Sequence, residues 1–272
     1  MKTNVRGKLW VIEGPDLAGK DTVIDTMLEY AHRTDFKVSD VRDFWQRKGR
    51  HPSIFEIMEH GTPDLLVMAE PSTVNIGKLI RKEYTASPEK NSTGLIYPAS
   101  FVANAYAQDR WEMIHTFVSE AREQGVDVLC GRNYLSSLVY QPLHAKFYAT
   151  RVHESHLPRD YDVHSGDLAR EYIMELTGNV VAMSDSNAPD EILITTCSPA
   201  ELSRRRELRK KQDDSLYEQD DFLEALVHAY RSEFVRNICE KTNTKLSYHY
   251  TDGSKDQTIE MARREASRLF KS

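Results

Sequence analysis

Gly14-Pro15-Asp16-Leu17-Ala18-Gly19-Lys20-Asp21-Thr22 is the stretch from which the fold is read. An apolar run, Leu9-Trp10-Val11-Ile12, leads into it, and Val23, Ile24, Met27 and Leu28 recur after it at helical spacing. Strand, glycine-rich turn and helix is the context in which backbone N–H groups wrap phosphates and a helix N-terminus adds partial positive charge. Lys20 is placed to reach the outer phosphates, whereas an ordinary glycine-rich turn would leave that lysine unexplained. The expected nucleotide contacts are Gly14, Pro15, Leu17, Ala18, Gly19, Lys20, Asp21 and Thr22. Asp21 is out of place, because such loops usually offer Mg²⁺ a Ser or Thr hydroxyl there. Asp16 is a second carboxylate close to the phosphates; it is tolerable if it faces a sugar hydroxyl or a metal-bound water.

Outward from the loop, apolar runs alternate with helical patterns. The strand-like runs are Leu9–Ile12, Phe36–Val41, Asp64–Met68, Val126–Cys130 and Glu191–Thr196, with Leu246–Tyr250 reading as a sixth. Their nearly continuous apolar character suits strands covered on both faces. The expected fold is a three-layer α/β phosphate-loop NTPase with a mostly parallel five-stranded sheet. Helices are expected at Asp21–His32, Asn75–Tyr84, Ala99–Gln124, Asp167–Leu176, Ala200–Lys211, Phe222–Thr242 and Ser254–Phe270. Two segments, 42–63 and 142–189, exceed a minimal sheet-and-helix core and read as insertions on a single domain spanning 1–272. The first of them carries an apolar patch, Ile54, Phe55, Ile57 and Met58, suited to a short helix.

Composition narrows the class. The 272 residues carry a formal net charge of −6 and 40% hydrophobic residues, ordinary for a globular enzyme and unlike a generally basic nucleic-acid binder. Cys130, Cys197 and Cys239 have neither metal-ligand spacing nor a disulfide framework, and Cys130 and Cys197 close apolar runs as buried small side chains would. No apolar run approaches membrane-spanning length, and no signal-peptide core is present, so the expected setting is cytoplasmic.

Four further constellations carry chemistry. Glu70-Pro71-Ser72-Thr73 follows a strand directly, where the crevice of a parallel sheet lies, and its hydroxyls could cap the next helix. Tyr106 and Arg110 share a helix face and could stack a base and grip a phosphate, or could pack in the core with Arg110 paired to Asp109. Arg132, at the end of another strand, is placed for an anionic ligand, with Tyr140 two turns on. The run Arg204-Arg205-Arg206-Glu207-Leu208-Arg209-Lys210-Lys211 reads as a solvated helix face or as a basic lid, at about 199–218, that closes on phosphates. Spacing does not decide which of its arginines turns inward.

Taken together, these pieces resemble thymidylate kinase among the nucleoside monophosphate kinases. Glu13-Gly14-Pro15-Asp16 through Lys20, Glu70-Pro71 leading to Ile76-Gly77, Tyr106 with Arg110, and Gly131 through Tyr140-Gln141 are similar in order and spacing to that family's motifs. The resemblance covers the first half well and the lid loosely; 142–189 has no counterpart. It implies that Lys20 and the loop amides hold ATP and that Asp16 meets the acceptor's 3′-hydroxyl. It further implies that Tyr106 stacks on a pyrimidine, that Arg110 binds the base or the acceptor phosphate, and that Arg132 holds that phosphate near the transferring group. Glu70, Ser72 and Tyr140 join them as substrate contacts, Arg205 and Arg209 as lid cations, and a homodimer is implied.

Three departures qualify the resemblance. Asp21 replaces the metal-binding hydroxyl, Gly131 replaces an aspartate before Arg132, and Ala69 with Ser72 leaves the Glu70-Pro71 loop without an arginine. The first two read together as a carboxylate moved across the Mg²⁺ position, with Thr22 supplying the remaining hydroxyl. The third thins the positive charge for a monophosphate, for which Arg81, Lys78 or the inserted histidines could compensate. The expected activity is ATP- and Mg²⁺-dependent phosphoryl transfer to a pyrimidine deoxynucleoside monophosphate, dTMP first. The alternatives are a modified deoxynucleotide, a nucleoside, a hydroxymethylated base in DNA, or a nucleotide-binding regulator without catalysis.

Overall fold

Every residue of the first strand, β1 (Leu9–Glu13), is buried, as an apolar run in mid-sheet requires. The computed structural model describes residues 5–152, 168–209, 217 and 219–270. After β1 come α1 (Lys20–Arg33), β2 (Val38–Asp40), α2 (Val41–Lys48), α3 (Ile54–Met58), β3 (Leu65–Ala69), α4 (Asn75–Leu79), α5 (Ala99–Met113) and α6 (Ser119–Glu123). They are followed by β4 (Asp127–Gly131), α7 (Tyr134–Val152), α8 (Arg170–Glu175), α9 (Thr177–Ala182), β5 (Glu191–Thr196) and α10 (Pro199–Leu208). The chain closes with α11 (Asp220–Tyr230), α12 (Glu233–Lys241), β6 (Lys245–Tyr250) and α13 (Lys255–Leu269).

The strands form one sheet in the order β2-β3-β4-β1-β5-β6, and every neighbouring pair is parallel. The expected five-stranded, mostly parallel sheet is therefore six-stranded and wholly parallel. The added strand, β6, pairs with β5 from Glu191↔Lys245 to Thr196↔Tyr250. Its mixed exposure is that of an edge strand, and this weakened its apolar signal. Alternate residues of the inner strands feed two apolar layers. Val11, Leu66, Val128 and Ile192 pack toward Phe117, Leu138 and Leu226, while Ile12, Leu65, Leu129 and Leu193 pack toward Met27, Ala262 and Ala266. Strand order turns about β1, which lies between β4 and β5, so the crevice opens beyond its carboxyl end.

Several element boundaries differ from the sequence reading, each for a local reason. Phe36–Val41 shortens to β2 because Asp40 caps α2, accepting from the Arg42 N–H at 2.9 Å. Phe222–Thr242 is two helices: α11 ends at Tyr230, and Ser232 adopts the extended N-cap conformation that starts α12. The apolar periodicity runs on across that break and hides it. Pro142 lies inside α7, so position 142 is not a helix boundary. The helix expected from Asp167 begins at Arg170, with Asp167 itself outside the described residues, and α9 follows it unannounced. There Gly178 lets the α9 backbone approach α5 so closely that a Cβ would overlap the Ala107 carbonyl. α10 is capped by Ser198, which accepts from the Glu201 N–H, with Pro199 in its first turn; Lys210 and Lys211 lie outside the described residues. All three cysteines are buried and unpaired. Among the described residues no helix is long and apolar enough to cross a membrane.

Candidate active site

Beyond the carboxyl ends of β1, β3 and β4 lies a cavity of about 750 Å³. The loop after β1 forms its floor. Gly14 (φ 131°) passes where a Cβ would meet the Thr195 carbonyl, and Gly19 (φ 91°) turns the chain into α1. Lys20, buried at the start of α1, donates to the Pro15 carbonyl at 2.6 Å and lies 3.7 Å from Asp16. Burial, aided by the Arg132 charge and opposed by Asp16, lowers its ammonium to about 8.

Arg132 forms the wall at the end of β4. Its backbone sits in the left-handed region (φ 70°), a conformation that costs a non-glycine residue roughly 1–2 kcal/mol. A buried carboxylate holds the turn: Glu13 accepts from the N–H groups of Asn133 (2.8 Å) and Ser136 (3.1 Å) and from the hydroxyls of Ser136 (2.7 Å) and Tyr230 (2.8 Å). So positioned, the guanidinium donates to Asp16, to the Gly14 carbonyl (3.1 Å) and to the Tyr140 hydroxyl (2.9 Å), which itself donates to Asp16 at 3.2 Å. Burial would raise the Asp16 carboxyl, but Arg132 and Lys20 together outweigh it and hold the group below its ordinary range. Asp16, Lys20, Arg132 and Tyr140 are thus one connected cluster on the cavity wall.

The β3 side is arranged differently from the sequence expectation. Tyr106 lines the cavity, with its hydroxyl pushed up to about 12 by burial, and Arg110 does not line it. Arg110 is 1% exposed and donates to Glu70 through Nε (2.8 Å) and Nη2 (2.7 Å), to Ser137 (3.3 Å) and to Asn179 of α9. Its ion-pair partner is Glu70, not Asp109. Glu70 does face the cavity, and burial, only partly offset by Arg110, pushes its carboxyl up to about 7. Ser72 is fully buried and outside the cavity, donating through N–H (2.8 Å) and Oγ (2.7 Å) to Asp109. It does not cap α4, whose N-cap, Val74, makes no side-chain cap bond.

Across the loop, Arg205 of α10 donates to the Leu17 carbonyl (3.0 Å) and to Thr251, while Glu201 orients it at 2.7 Å. It faces the cavity but braces the loop, and Arg209 at the end of α10 also lines the cavity. Asp21 is exposed on the rim beside Thr22. The missing strand-end carboxylate has a steric counterpart. A Cβ on Gly131 would come within 2.9 Å of Ile24 Cδ1 and 3.4 Å of Ala69 Cβ, so Ile24 fills that space.

Sequence reasoning missed Arg42, Gln141 and Tyr217 and raised Arg81 only as a substitute. Arg81 donates to the Pro71 (3.0 Å) and Ser72 (3.1 Å) carbonyls and has no carboxylate partner among the described residues. Gln141 is 1% exposed and lines the cavity with its Oε1 unpaired. Tyr217 closes that end, stacked on Phe222 with centroids 5.2 Å apart, its hydroxyl 3.1 Å from His144 Nδ1. Only the run Tyr140-Gln141, next to expected site positions, could have pointed to Gln141 from sequence.

A glycine-rich loop after the central strand of a parallel sheet, a lysine opening the next helix and a basic helix folded over both define a phosphate-loop fold. Within it the fold is thymidylate kinase-like. The chain superposes on thymidylate kinase from Candida albicans with a TM-score of 0.57 and 16% identity, covering 97% of this chain and 94% of that one. Thymidylate kinase from Ehrlichia chaffeensis matches with a TM-score of 0.53 and 14% identity, over 98% and 100% of the two chains. No family model and no curated protein matches the sequence. What is shared is the architecture, in a divergent form.

Proposed function

We propose that this protein is an ATP- and Mg²⁺-dependent kinase that transfers the γ-phosphoryl group to a pyrimidine deoxynucleoside monophosphate, with dTMP the first acceptor to test. The observation that carries the reading is that Lys20, Arg81 and Arg132 face one cavity with Tyr106 and Gln141. Three cations suit two sets of phosphates, and an aromatic face beside an unpaired buried amide oxygen suits a base. Gln141 Oε1 would accept from a base N–H, and Tyr106 would stack on the ring. Asp16, held ionised by Arg132 and Lys20, would accept from a sugar hydroxyl. Arg132 would span the acceptor phosphate and the transferring group, where charge develops.

The donor set also fits Mg²⁺. This ion is commonly held by one or two protein groups together with substrate phosphates, and Asp21 and Thr22 supply such a pair at the first turn of α1. When bound, it would neutralise phosphate charge. The chain's own contribution is positioning and charge neutralisation, without a covalent intermediate.

One observation favours a second reading. Glu70 presents a carboxyl near 7 to the cavity, in the loop where the resemblance calls for an arginine. A carboxylate there suits a hydroxyl acceptor, a nucleoside or a hydroxymethylated base, better than a phosphate. The deciding assay incubates the purified protein with Mg-ATP and each of dTMP, thymidine, other pyrimidine monophosphates and hydroxymethylated DNA, recording ADP release. Release with a monophosphate supports the first reading and release confined to hydroxyl acceptors the second; no release with any acceptor overturns both.

A further inference from the structure

The sheet edge formed by β2 and the α2 that follows it reaches the cavity. Arg42, the second residue of α2, lines it together with Asp21, Thr22 and Ile24 of α1 and Ala69 of β3. Asp40 fixes this side chain: it caps α2 and takes the guanidinium through Nε at 3.0 Å and Nη2 at 2.7 Å. Nη1 is left 3.6 Å from Asp25, beyond hydrogen-bonding distance, and the side chain is 26% exposed. A guanidinium clamped by Asp40 on one edge and only loosely paired with the exposed Asp25 on the other is organised in advance for an anion that can displace Asp25, because little rotamer entropy remains to be lost.

Positive charge on the acceptor side is otherwise thin: Arg81 faces the cavity but spends Nε and Nη2 on the Pro71 and Ser72 carbonyls. The loop from Glu70 to Thr73 carries no cation, Arg110 is sequestered by Glu70 and Asn179, and Arg132 is engaged with Asp16. Resting on the monophosphate reading above, we propose that Arg42 is a specificity residue for the acceptor's phosphate. The edge strand β2 brings it to the end of the cavity beside Asp21. An isolated surface ion pair between α2 and α1 would explain Arg42 without a ligand. That alternative predicts no dependence on the acceptor's phosphate, and the two separate in a binding experiment.

Wild type, Arg42→Ala and Arg42→Lys are titrated calorimetrically with dTMP, with thymidine and with ATP. Loss of a charge-assisted contact is expected to weaken dTMP binding by about tenfold or more in Arg42→Ala, with partial retention in Arg42→Lys. Thymidine and ATP affinities should stay within about twofold, which also reports that the variants are folded. Unchanged dTMP affinity, or an equal loss for thymidine, overturns the role of Arg42 while leaving the kinase reading in place. Wild type that binds thymidine but no pyrimidine monophosphate overturns the monophosphate reading itself, and the role of Arg42 with it. Should Arg42→Ala fail to fold, Arg42→Lys carries the same comparison, because an ammonium cannot hold Asp40 and an anion as a fork does.

Discussion

Replacing Arg110 with Met separates a structural arginine from a substrate-binding one. Arg110 is 1% exposed and shares two hydrogen bonds with Glu70, which is 6% exposed. Removing one partner of a buried pair leaves an uncompensated charge, a loss of about 3–5 kcal/mol. The penalty should depend on pH, because Glu70 can shed its charge. Its carboxyl rises from 4.5 unfolded to about 7 folded, so folding favours the protonated form. The associated stability is whole below pH 4.5 and is lost as pH rises through 7, in all roughly 3 kcal/mol. Without Arg110 the carboxyl rises further, and at pH 5.5 it is neutral. The loss there should shrink to about 1–2 kcal/mol, the worth of hydrogen bonds left unmade. Urea denaturation at pH 5.5 and 8 measures both values. The double variant Arg110→Met/Glu70→Gln should regain about 2 kcal/mol at pH 8, since no buried charge remains. Equal losses at the two pH values with no recovery in the double variant would refute this reasoning. A stable Arg110→Met that shows only a raised KM would mean that Arg110 binds substrate.

Other consequences are open to direct measurement. With Lys20 near 8 before binding and its protonated form favoured by phosphates, ATP binding at pH 8.5 should take up protons, seen as a buffer-dependent binding enthalpy that Lys20→Arg abolishes. Asp21→Ser should cut turnover sharply and raise the Mg²⁺ requirement; unchanged kinetics would remove Asp21 from the metal site. Gly131→Asp should destabilise the fold by no more than about 1 kcal/mol, because only the mobile Ile24 Cδ1 must give way, and Ile24→Ala in the same chain should remove that crowding, as read from denaturation midpoints. Gly178→Ala should lower the melting temperature strongly, since its methyl meets the Ala107 carbonyl; an unchanged midpoint would mean that α9 is not docked on α5 as described.

How much of this was legible in the sequence depended on whether a local rule or a distant contact set the outcome. Strand positions were readable because strands buried on both faces must be apolar, and the loop because its glycines and lysine have few other uses. The break at Arg231 was invisible because amphipathic spacing persists across it. The site divided along the same line. Asp16, Lys20 and Arg132 lie at the ends of neighbouring strands, so topology alone brings them together. Arg110 could not be placed in this way. Its orientation is set by Glu70, 40 residues earlier, and by Asn179, 69 residues further on in a segment whose packing no periodicity announced.

The same distinction bears on the carboxylate exchange between Gly131 and Asp21. Read from sequence, the two positions are linked only by resemblance. In the fold they are linked through one helix: Ile24, a turn after Asp21 on α1, occupies the space that a side chain at 131 would need. An aspartate at the strand end would need the Ile24 Cδ1 to turn aside or Ile24 to become smaller, so residue 24 biases which side of the site can carry the carboxylate. If the exchange is functional, Gly131→Asp/Ile24→Ala should partly restore turnover to Asp21→Ser, because the metal would regain an acidic contact from β4. If Asp21 is only a rim residue, restoring the strand-end carboxylate should leave the Mg²⁺ dependence of Asp21→Ser unchanged.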